Sequence, residues 1–542
     1  MVKVYEKIEG GEKMKVKRVS KYTIKRSHQL FNYCDNESFK AKNLRNLANY
    51  HIRQCFMLSS KDNKNLSNEQ KDYLLNINKY IDLFNVDKEK SFKEKKPIKI
   101  KKAEAKLLEL KLTKDNSKKH KDEIKKKEKD LEKLKASEFK PQKYIDNNNG
   151  LLTYDFLDYY FSKCLKSEDN PYKLLAIQTS QQILRNLFKD WKSFRASIKD
   201  YNKDKSKYTG RPKLPRYKAK NGRVKLSMTN QSCKVKDGYI TLPKTTLKLE
   251  IGFKTDDLEL KEVRIVPMGG SYKIELVWDK EIQVNTNLNK EYFIGIDLGL
   301  NNLATIVNNI GLSPIIINGK PLKAINQYYN KKLSLMKEKL PFYTFARYNK
   351  EKNIYVNEKR QLSNSKKIES LTLKRNAKIE DYMHKVSSFI IQYCLDNNIG
   401  NIVIGKHEDW KREVNIGKKN NQNFVSIPFS KLLSMISYKA ENIGICVHIV
   451  EESYTSKASF LNLDELPTYD NDNNIKHKFS GIRIKRGLYK TGSIVINADV
   501  NGSYNILRKY DNNIFTKENI DKFKIIPKVI KINGYLNKKK PA

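Results

Sequence analysis

The spacing of apolar positions changes period several times along the 542 residues. Residues 14–26, MKVKRVSKYTIKR, alternate loosely and predict a basic strand. Apolar and aromatic residues recur at helical spacing in SFKAKNLRNLANYHIRQCFML (38–58), which predicts an amphipathic helix. From about 86 to 140 lysine and glutamate dominate, and the pattern predicts a charged helical hairpin. Its seam of Ile124, Leu131 and Leu134 is too short for a long coiled coil. Helical spacing returns over 151–200, followed by KYTGRPKLPRYKAKNG, a Gly- and Pro-punctuated basic loop. Short alternating segments fill 223–290, with turns at Asp237-Gly238 and Gly269-Gly270, the signature of a β-barrel or small sheet.

At 291 the pattern becomes α/β. FIGIDLGLNNLATI (293–306) predicts a strand ending at Asp297 and a hairpin return over 303–307, with a further apolar run in LSPIIING. Residues 322–396 predict two longer helices flanking a basic polar stretch. NIGNIVIGK (398–406) predicts a buried strand, SKLLSMISYKAENIG (430–444) a helix closing at Gly444, and ICVHIVEES (445–453) the next strand. SIVINADVNGSYNILRKY runs strand, aspartate, helix, and the last thirty or so residues read as a partly ordered basic tail.

Length and charge add partners to this outline. A chain of 542 residues predicts about three or four domains. Its 108 Lys and Arg against 61 Asp and Glu give a formal charge of +47, so the bare chain repels itself and calls for a polyanion. The charge is spread along the chain and no run of about 18 apolar residues occurs. Nucleic acid, not membrane, is therefore the expected partner. The opening MVKVYEKIEGGEKMK lacks the apolar h-region of a secretory signal, and together with the expected nucleic-acid partner this predicts a cytoplasmic (bacterial, nucleoid-associated) protein. The six cysteines (34, 55, 164, 233, 394, 446) form no C-x-x-C pair and read as small core residues of a reducing compartment.

The candidate chemistry lies in carboxylates at strand ends: Asp297, Asp499 and the pair Glu451-Glu452. Buried carboxylates brought together repel one another unless cations sit between them. Mg²⁺ takes oxygen ligands, and two such ions about 3.5–4 Å apart stabilise both oxygens of an in-line phosphoryl displacement. The competing reading is that each aspartate only caps a helix or accepts from backbone amides.

GIDLGLNNLAT resembles the first RuvC motif of the TnpB family, the transposon-encoded relatives of type V CRISPR effector nucleases, and INADVNGSYNILRK resembles the third. NFVSIPFSKLLSMISYKAENIGI, EESYTSKASF and FSGIRIKRGLYK are similar to the family's intervening blocks. SHQLFNYCDNESFKAKNLRNLANYHIRQ, WKSF and GRPKLPRYK are similar to its N-terminal half. The resemblance implies a multidomain α+β protein: an N-terminal β-barrel (wedge) interrupted by a helical recognition domain, then a C-terminal RNase H-like (RuvC) α/β domain with an inserted lid loop. The implied boundaries are 1–37 and 206–290 for the wedge, 38–205 for the recognition domain, 291–453 for the first two RuvC motifs, 454–490 for the lid, 491–510 for the third motif and 511–542 for the tail.

By the same resemblance Asp297 and Asp499 are the first and third metal-binding carboxylates. The usual second ligand, a glutamate after the strand NIVIG, is replaced by Gly405, so Glu451 or Glu452 is expected to take its place if their strand lies beside that of Asp297. Alternation lets only one of the two point inward. Glu408 reads as a solvated loop residue. The family's zinc knuckles are missing, since Ala458 stands where a cysteine would fall. No zinc is expected, and 454–490 must be held by packing and hydrogen bonds.

The implied function is an RNA-guided DNA endonuclease that uses two Mg²⁺ ions, with Mn²⁺ as the alternative. Its partners are a guide RNA, transposon-encoded (omega RNA) or CRISPR RNA, and target double-stranded DNA with a short flanking motif read by the protein. Arg211, Lys213, Arg216 and Lys218 are the expected contacts to RNA backbone, and Arg483, Lys485 and Arg486 the expected contacts to a substrate strand. Tyr22, Phe31, Tyr50 and Tyr217 are candidates for stacking on bases, against the plainer reading of core residues. Two rival functions share these residues: a guided repressor that binds without cutting, and a transposase that needs no guide.

Overall fold

A computed structural model of the chain describes residues 13–62, 65–113, 118–147, 149–166, 168, 170–253, 255, 258–283, 288–349, 354–406, 427–467 and 477–532. The chain divides into two compact units, one spanning Arg18–Trp278 and the other made from the segments on either side.

In the first unit, strand β1 (Lys13–Ile24) leads into helix α1 (Phe31–Leu58), which starts seven residues before the stretch its spacing predicts. Helix α2 (Asn68–Leu112) opens with a capping box in which Ser67 and Gln70 satisfy each other's backbone amides. Helix α3 (Lys118–Lys135) folds back on α2 to give the charged hairpin. Ile124, Leu131 and Leu134 are only half-buried, and ion pairs Lys111–Glu128 (2.5 Å) and Lys135–Glu104 (2.6 Å) assist the thin seam. Two short segments, α4 (Tyr154–Tyr159) and α5 (Pro171–Leu174), precede α6 (Ile177–Lys203). Ile183, Leu184, Leu187 and Trp191 form the buried stripe of α6.

The strands of this unit depart from the expected barrel. Strands β2 (Leu226–Thr229), β3 (Lys234–Lys236), β4 (Tyr239–Thr241), β5 (Lys248–Glu250), β6 (Leu258–Pro267) and β7 (Tyr272–Gln283) form two sheets, ordered β1-β7-β6-β2 and β3-β4-β5. No closed barrel is present among the described residues. The reason is length. Three of the strands have three residues each and pair locally through the Asp237-Gly238 turn (φ +51° and +74°), which leaves β1 and β2 as edges of the larger sheet.

The second unit is mixed α/β. Strands β8 (Asn289–Asp297), β9 (Asn302–Asn308) and β10 (Ile315–Asn318) are followed by helix α7 (Lys320–Glu338). The hairpin β11 (Phe342–Asn349) and β12 (Ile354–Gln361) comes next, where the sequence pattern predicts no strand, and then α8 (Lys366–Asp396). Beyond β13 (Ile399–Lys406) lie α9 (Phe429–Glu441), β14 (Cys446–Glu451), the small strands β15 (Gly481–Lys485), β16 (Leu488–Thr491) and β17 (Ile494–Asn497), and α10 (Ala498–Tyr510). The tail adds β18 (Lys528–Ile530) to the main sheet.

The main sheet runs β14-β13-β8-β9-β10-β18, with β14, β13 and β8 mutually parallel and β9 antiparallel to both its neighbours. Alternation sorts its side chains. Ile294, Ile296, Ile402 and Ile404 pack with α8 and α9, whereas Val307 and Val403 pack with α10. Asp297 and Gly405 belong to the α10 face.

Candidate active site and nucleic-acid interface

Asp297 is the last residue of β8, and two residues earlier Gly295 lets α10 lie directly on the strand. A Cβ at Gly295 would stand 2.6 Å from Leu507 Cγ and 2.7 Å from the Ser503 carbonyl oxygen, so no larger residue fits without moving the helix. Asn497 caps α10 through its side-chain oxygen, which accepts from the amides of Asp499 (2.9 Å) and Val500 (3.3 Å). The cap places Asp499 in the first turn of the helix. Gly502 follows on the same helix, and a Cβ there would be 3.2 Å from Asp297 Oδ2. The Asp297 carboxylate therefore rests against the first turns of α10.

The glutamates arrive differently from expectation. Strand β14 pairs with β13 and not with β8, so β13 separates the glutamates from Asp297. The pairs Ile404–Ile296 and Gly405–Val450 set the register, and the residue after Ile296 is Asp297. A side chain at Gly405 would fill the space between the two acidic strand ends. Its Cβ would lie 3.0 Å from Glu452 Oε2 and 2.6 Å from Ile506 Cδ1. The glycine leaves room, and the Glu452 carboxylate occupies it. Glu451 is engaged elsewhere: its carboxylate accepts from the Ser453 amide (2.6 Å) and hydroxyl and from Lys509 Nζ (3.1 Å). Burial works against its charge, but these bonds hold it below the ordinary carboxylate range.

Three carboxylates thus meet at one edge of the sheet, and Asp297 registers it. Burial pushes its carboxyl well above the usual range, Asp499 and Glu452 push it the same way, and Arg483 opposes them. Asp499 is engaged by Asn302 Nδ2 (2.7 Å) and by Arg483 Nη2 (3.8 Å). An all-oxygen donor set that is mutually repulsive is the chemistry that fits Mg²⁺. Among the described residues, however, no three His, Cys, Asp or Glu side chains stand close enough to form a ligand group as they lie. The donor type fits the ion, while Asp499 stays turned toward Asn302 and Arg483.

The segment after β14 is fastened to α10 by amides. Ala458 is buried, and its carbonyl accepts from Asn501 Nδ2 (2.8 Å) and Asn505 Nδ2 (2.8 Å). Phe460 stacks on Tyr504 with ring centroids 4.1 Å apart and accepts support from Phe515 at right angles. Strands β15–β17 form a three-stranded antiparallel sheet within and just beyond the segment read as a loop. Arg483, Lys485 and Arg486 are all exposed on it, and Arg483 is the one that reaches a carboxylate of the cluster.

In the first unit the basic loop is pinned along α1. Asn46 exchanges two hydrogen bonds with Lys218 (2.9 Å each), Asn49 and Arg53 donate to the Pro215 carbonyl (3.0 and 2.9 Å), and Lys42 donates to that of Lys220 (2.7 Å). Asn49 is itself fixed by Trp191 Nε1 at 2.9 Å. The backbone is thereby held while Arg211, Lys213, Arg216 and Lys218 stay exposed. A cleft of about 620 Å³ opens beside the loop, lined by Arg45, Lys189, Lys218, Arg223, Lys225 and Asp190. Arg45 pairs with Asp190 (2.8 Å) and Arg223 with Asp35 (2.6 Å). Of the aromatic candidates, Tyr22 bonds the Ile251 carbonyl (2.5 Å) and Phe31 packs edge-on to Tyr272, as core residues do. Tyr50 and Tyr217 are exposed, with Arg53 over the Tyr217 ring. Glu408 lies outside the described residues.

Sequence reasoning paired Gly405 with a replacement glutamate but missed Asn302 and Lys509. No sequence signal pointed to Asn302 or Lys509, which are ordinary polar residues of a strand start and a helix until the fold brings them to the carboxylates.

Two family models match adjacent blocks of the second unit. Residues 278–411 match OrfB_IS605, described as a probable transposase, and residues 429–506 match the Cas12f1-like TNB domain. A TnpB-like protein of Methanocaldococcus jannaschii is 35% identical over 91 residues, 17% of this chain and 32% of that protein. The match thus spans about a third of the curated relative's length. Among solved structures, a Cas12f1–sgRNA–target DNA complex aligns at 15% identity and a TM-score of 0.28, covering 66% of this chain and 86% of that one. A CRISPR-Cas12f ternary complex aligns at 13% and 0.27, covering 66% and 75%. Asp297 and Gly405 fall inside the first matched block and Glu451, Glu452 and Asp499 inside the second. The second unit is thus similar to TnpB-like proteins over residues 278–411 and to the Cas12f1-like TNB domain over residues 429–506.

Proposed function

We propose that the chain is an RNA-guided DNA endonuclease whose reacting centre is the carboxylate edge formed by Asp297, Glu452 and Asp499. The observation that carries this reading is the Glu452 carboxylate lying in the space left by Gly405, on the face that bears Asp297. Asp297, Glu452 and Asp499 would hold two Mg²⁺ ions, and Glu451 would stay outside with Lys509. The chemistry such ions supply when bound is charge stabilisation of the attacking and leaving oxygens of a phosphodiester. The chain's own residues prepare the place: Asn302 orients Asp499, α10 shields one flank of Asp297, and Arg483 balances charge until a phosphate arrives. A guide RNA would supply target sequence by base pairing, and the basic loop of the first unit would grip phosphates without reading bases.

The test is plasmid cleavage by the chain co-expressed with RNA from its flanking locus, in Mg²⁺. Asp297→Ala and Glu452→Gln are expected to slow cutting by at least about a hundredfold, equivalent to several kcal/mol of lost stabilisation, with target binding retained. Glu451→Gln is expected to retain most activity. Equal loss in both glutamate variants would overturn the assignment. The ion pair of Arg483 with Asp499 favours one second reading, guided binding without cutting. Specific retention of target by a wild-type chain that never cuts would establish it.

A further inference from the structure

The hairpin β11–β12 is clamped to helix α7 at its root. Gln361 Nε2 donates to the carbonyls of Lys337 and Leu340 (3.0 Å each), capping the C-terminal end of α7, and the Leu362 amide bonds the Pro341 carbonyl (3.0 Å). Past this clamp the ladder continues in register from Phe342–Gln361 to Asn349–Ile354. The larger side chains stay in solvent: Phe342 is 66% exposed, Tyr343 43%, Ile354 52% and Tyr355 73%. A two-stranded ribbon is marginal in water when left alone, and exposed apolar side chains along it mark a contact surface.

Register sorts the side chains into two faces. Tyr343 pairs with Arg360 and Phe345 with Glu358 on one face, where the Tyr343 and Phe345 rings lie 5.9 Å apart. Phe342 pairs with Gln361 and Thr344 with Lys359 on the other, which also carries Tyr355. Cations surround the root. Among the described side chains from 337 to 369 there are six Lys or Arg and three Glu. That balance argues against a second copy of the chain, which would set one positive ribbon against another, and in favour of a polyanion. The exposed rings choose the form of the polyanion. Planar side chains interleaved with cations suit unpaired bases, since every base has a stackable face, whereas duplex edges are read by amides and guanidinium groups.

We infer that the face of the β11–β12 ribbon carrying Tyr343 and Phe345 is a stacking platform for unpaired nucleotides, with Arg360 of that face and Lys359 beside it on the phosphates. The site goes beyond the carboxylate cluster and needs only that the chain handles nucleic acid, not that it cuts. The start of α7 is tied to the Asp297 loop, because Gly319 N and Lys323 Nζ bond Asn301 (2.7 and 2.8 Å). The 19 residues of α7 then carry the ribbon about 28 Å along the helix axis from that loop. A strand touching both would span the length of this helix.

The experiment uses the full chain carrying Asp297→Ala, so that no probe is cut. The probes are a 20-nucleotide single-stranded DNA bearing 5-iodouridines and a blunt duplex of the same length. Irradiation is expected to give adducts at Tyr343 or Phe345, mapped by mass spectrometry. At 0.3 M salt, where phosphate attraction is weak, Tyr343→Ser with Phe345→Ser is expected to weaken single-strand binding about tenfold or more and leave duplex binding unchanged. Lys359→Gln with Arg360→Gln is expected to flatten the salt dependence instead. Adducts confined to other segments, or an equal loss for duplex, would overturn the inference. So would a change of sedimentation on serine substitution, which would make the ribbon a contact between copies. Cleavage in the parent background is scored separately, so a failed platform and a failed nuclease reading give different results.

Discussion

Lys439 shows what one side chain in this fold can reveal. Its ammonium donates to the His384 carbonyl (2.9 Å) and to the hydroxyls of Ser387 and Ser388 (2.7 Å each), joining α9 to α8, and burial pushes it down to about 8. Between that value and the ordinary 10.5 the unfolded chain holds more of this proton, so the site's contribution to stability rises with pH across the window. Below about pH 8 the penalty is constant. Urea unfolding of wild type and Lys439→Met at pH 7.5 and 9.5 is expected to show the wild type gaining on the variant at the higher pH, by at most about 1 kcal/mol once solvent screening of the partly exposed ammonium is allowed for. Such residues leave little trace in a sequence, because a lysine on a helix reads as solvated. The aspartates were more legible: Asp297 and Asp499 each follow an apolar run, and α10 brings them to one edge. The choice between Glu451 and Glu452 was not legible, since two neighbours at a strand end have equal claims until a partner such as Lys509 takes one of them.

Strands and helices were readable where one face is buried and obscure where neither is. Strand β13 is buried from Ile399 to Gly405 and stands out in the sequence as an apolar run. The β11–β12 ribbon does not, because its aromatics follow no regular alternation and sit among Lys, Arg, Asn and Glu. Strand β18 was hidden in the same way by a basic tail, although Ile532 just beyond it is buried with the main core. Gly405 shows how an element can depend on a missing side chain. Gly405→Ala would bring a methyl within 2.6 Å of Ile506 and 3.0 Å of Glu452. The expected result is a stability loss of about 1–3 kcal/mol by thermal unfolding, from a core position with no spare volume. Cleavage measured well below the melting temperature is expected to fall further than that loss explains, because the carboxylate is displaced as well.

For the entire chain, charge is the dominant fact. A net +47 is met by no counter-charge of its own, so purification at low salt is expected to yield a protein carrying RNA. A discrete species of uniform length in that RNA, with a melting temperature that falls when it is stripped at high salt, would support a guide and count against a guide-free transposase. Heterogeneous fragments would reverse the inference. Composition and periodicity together made the mixture of helical and sheet regions legible, but not the closure of the N-terminal sheets, which depends on strand lengths that turn chemistry alone does not set. The pinned loop on α1 has a kinetic meaning. Residues 215–220 are fastened by Lys42, Asn46, Asn49 and Arg53 before any ligand arrives, so their chain entropy is lost during folding and not at encounter. A polyanion meets these charges already in formation. Capture at this surface can therefore proceed at a rate limited by electrostatically guided diffusion, with no slow ordering step between collision and grip.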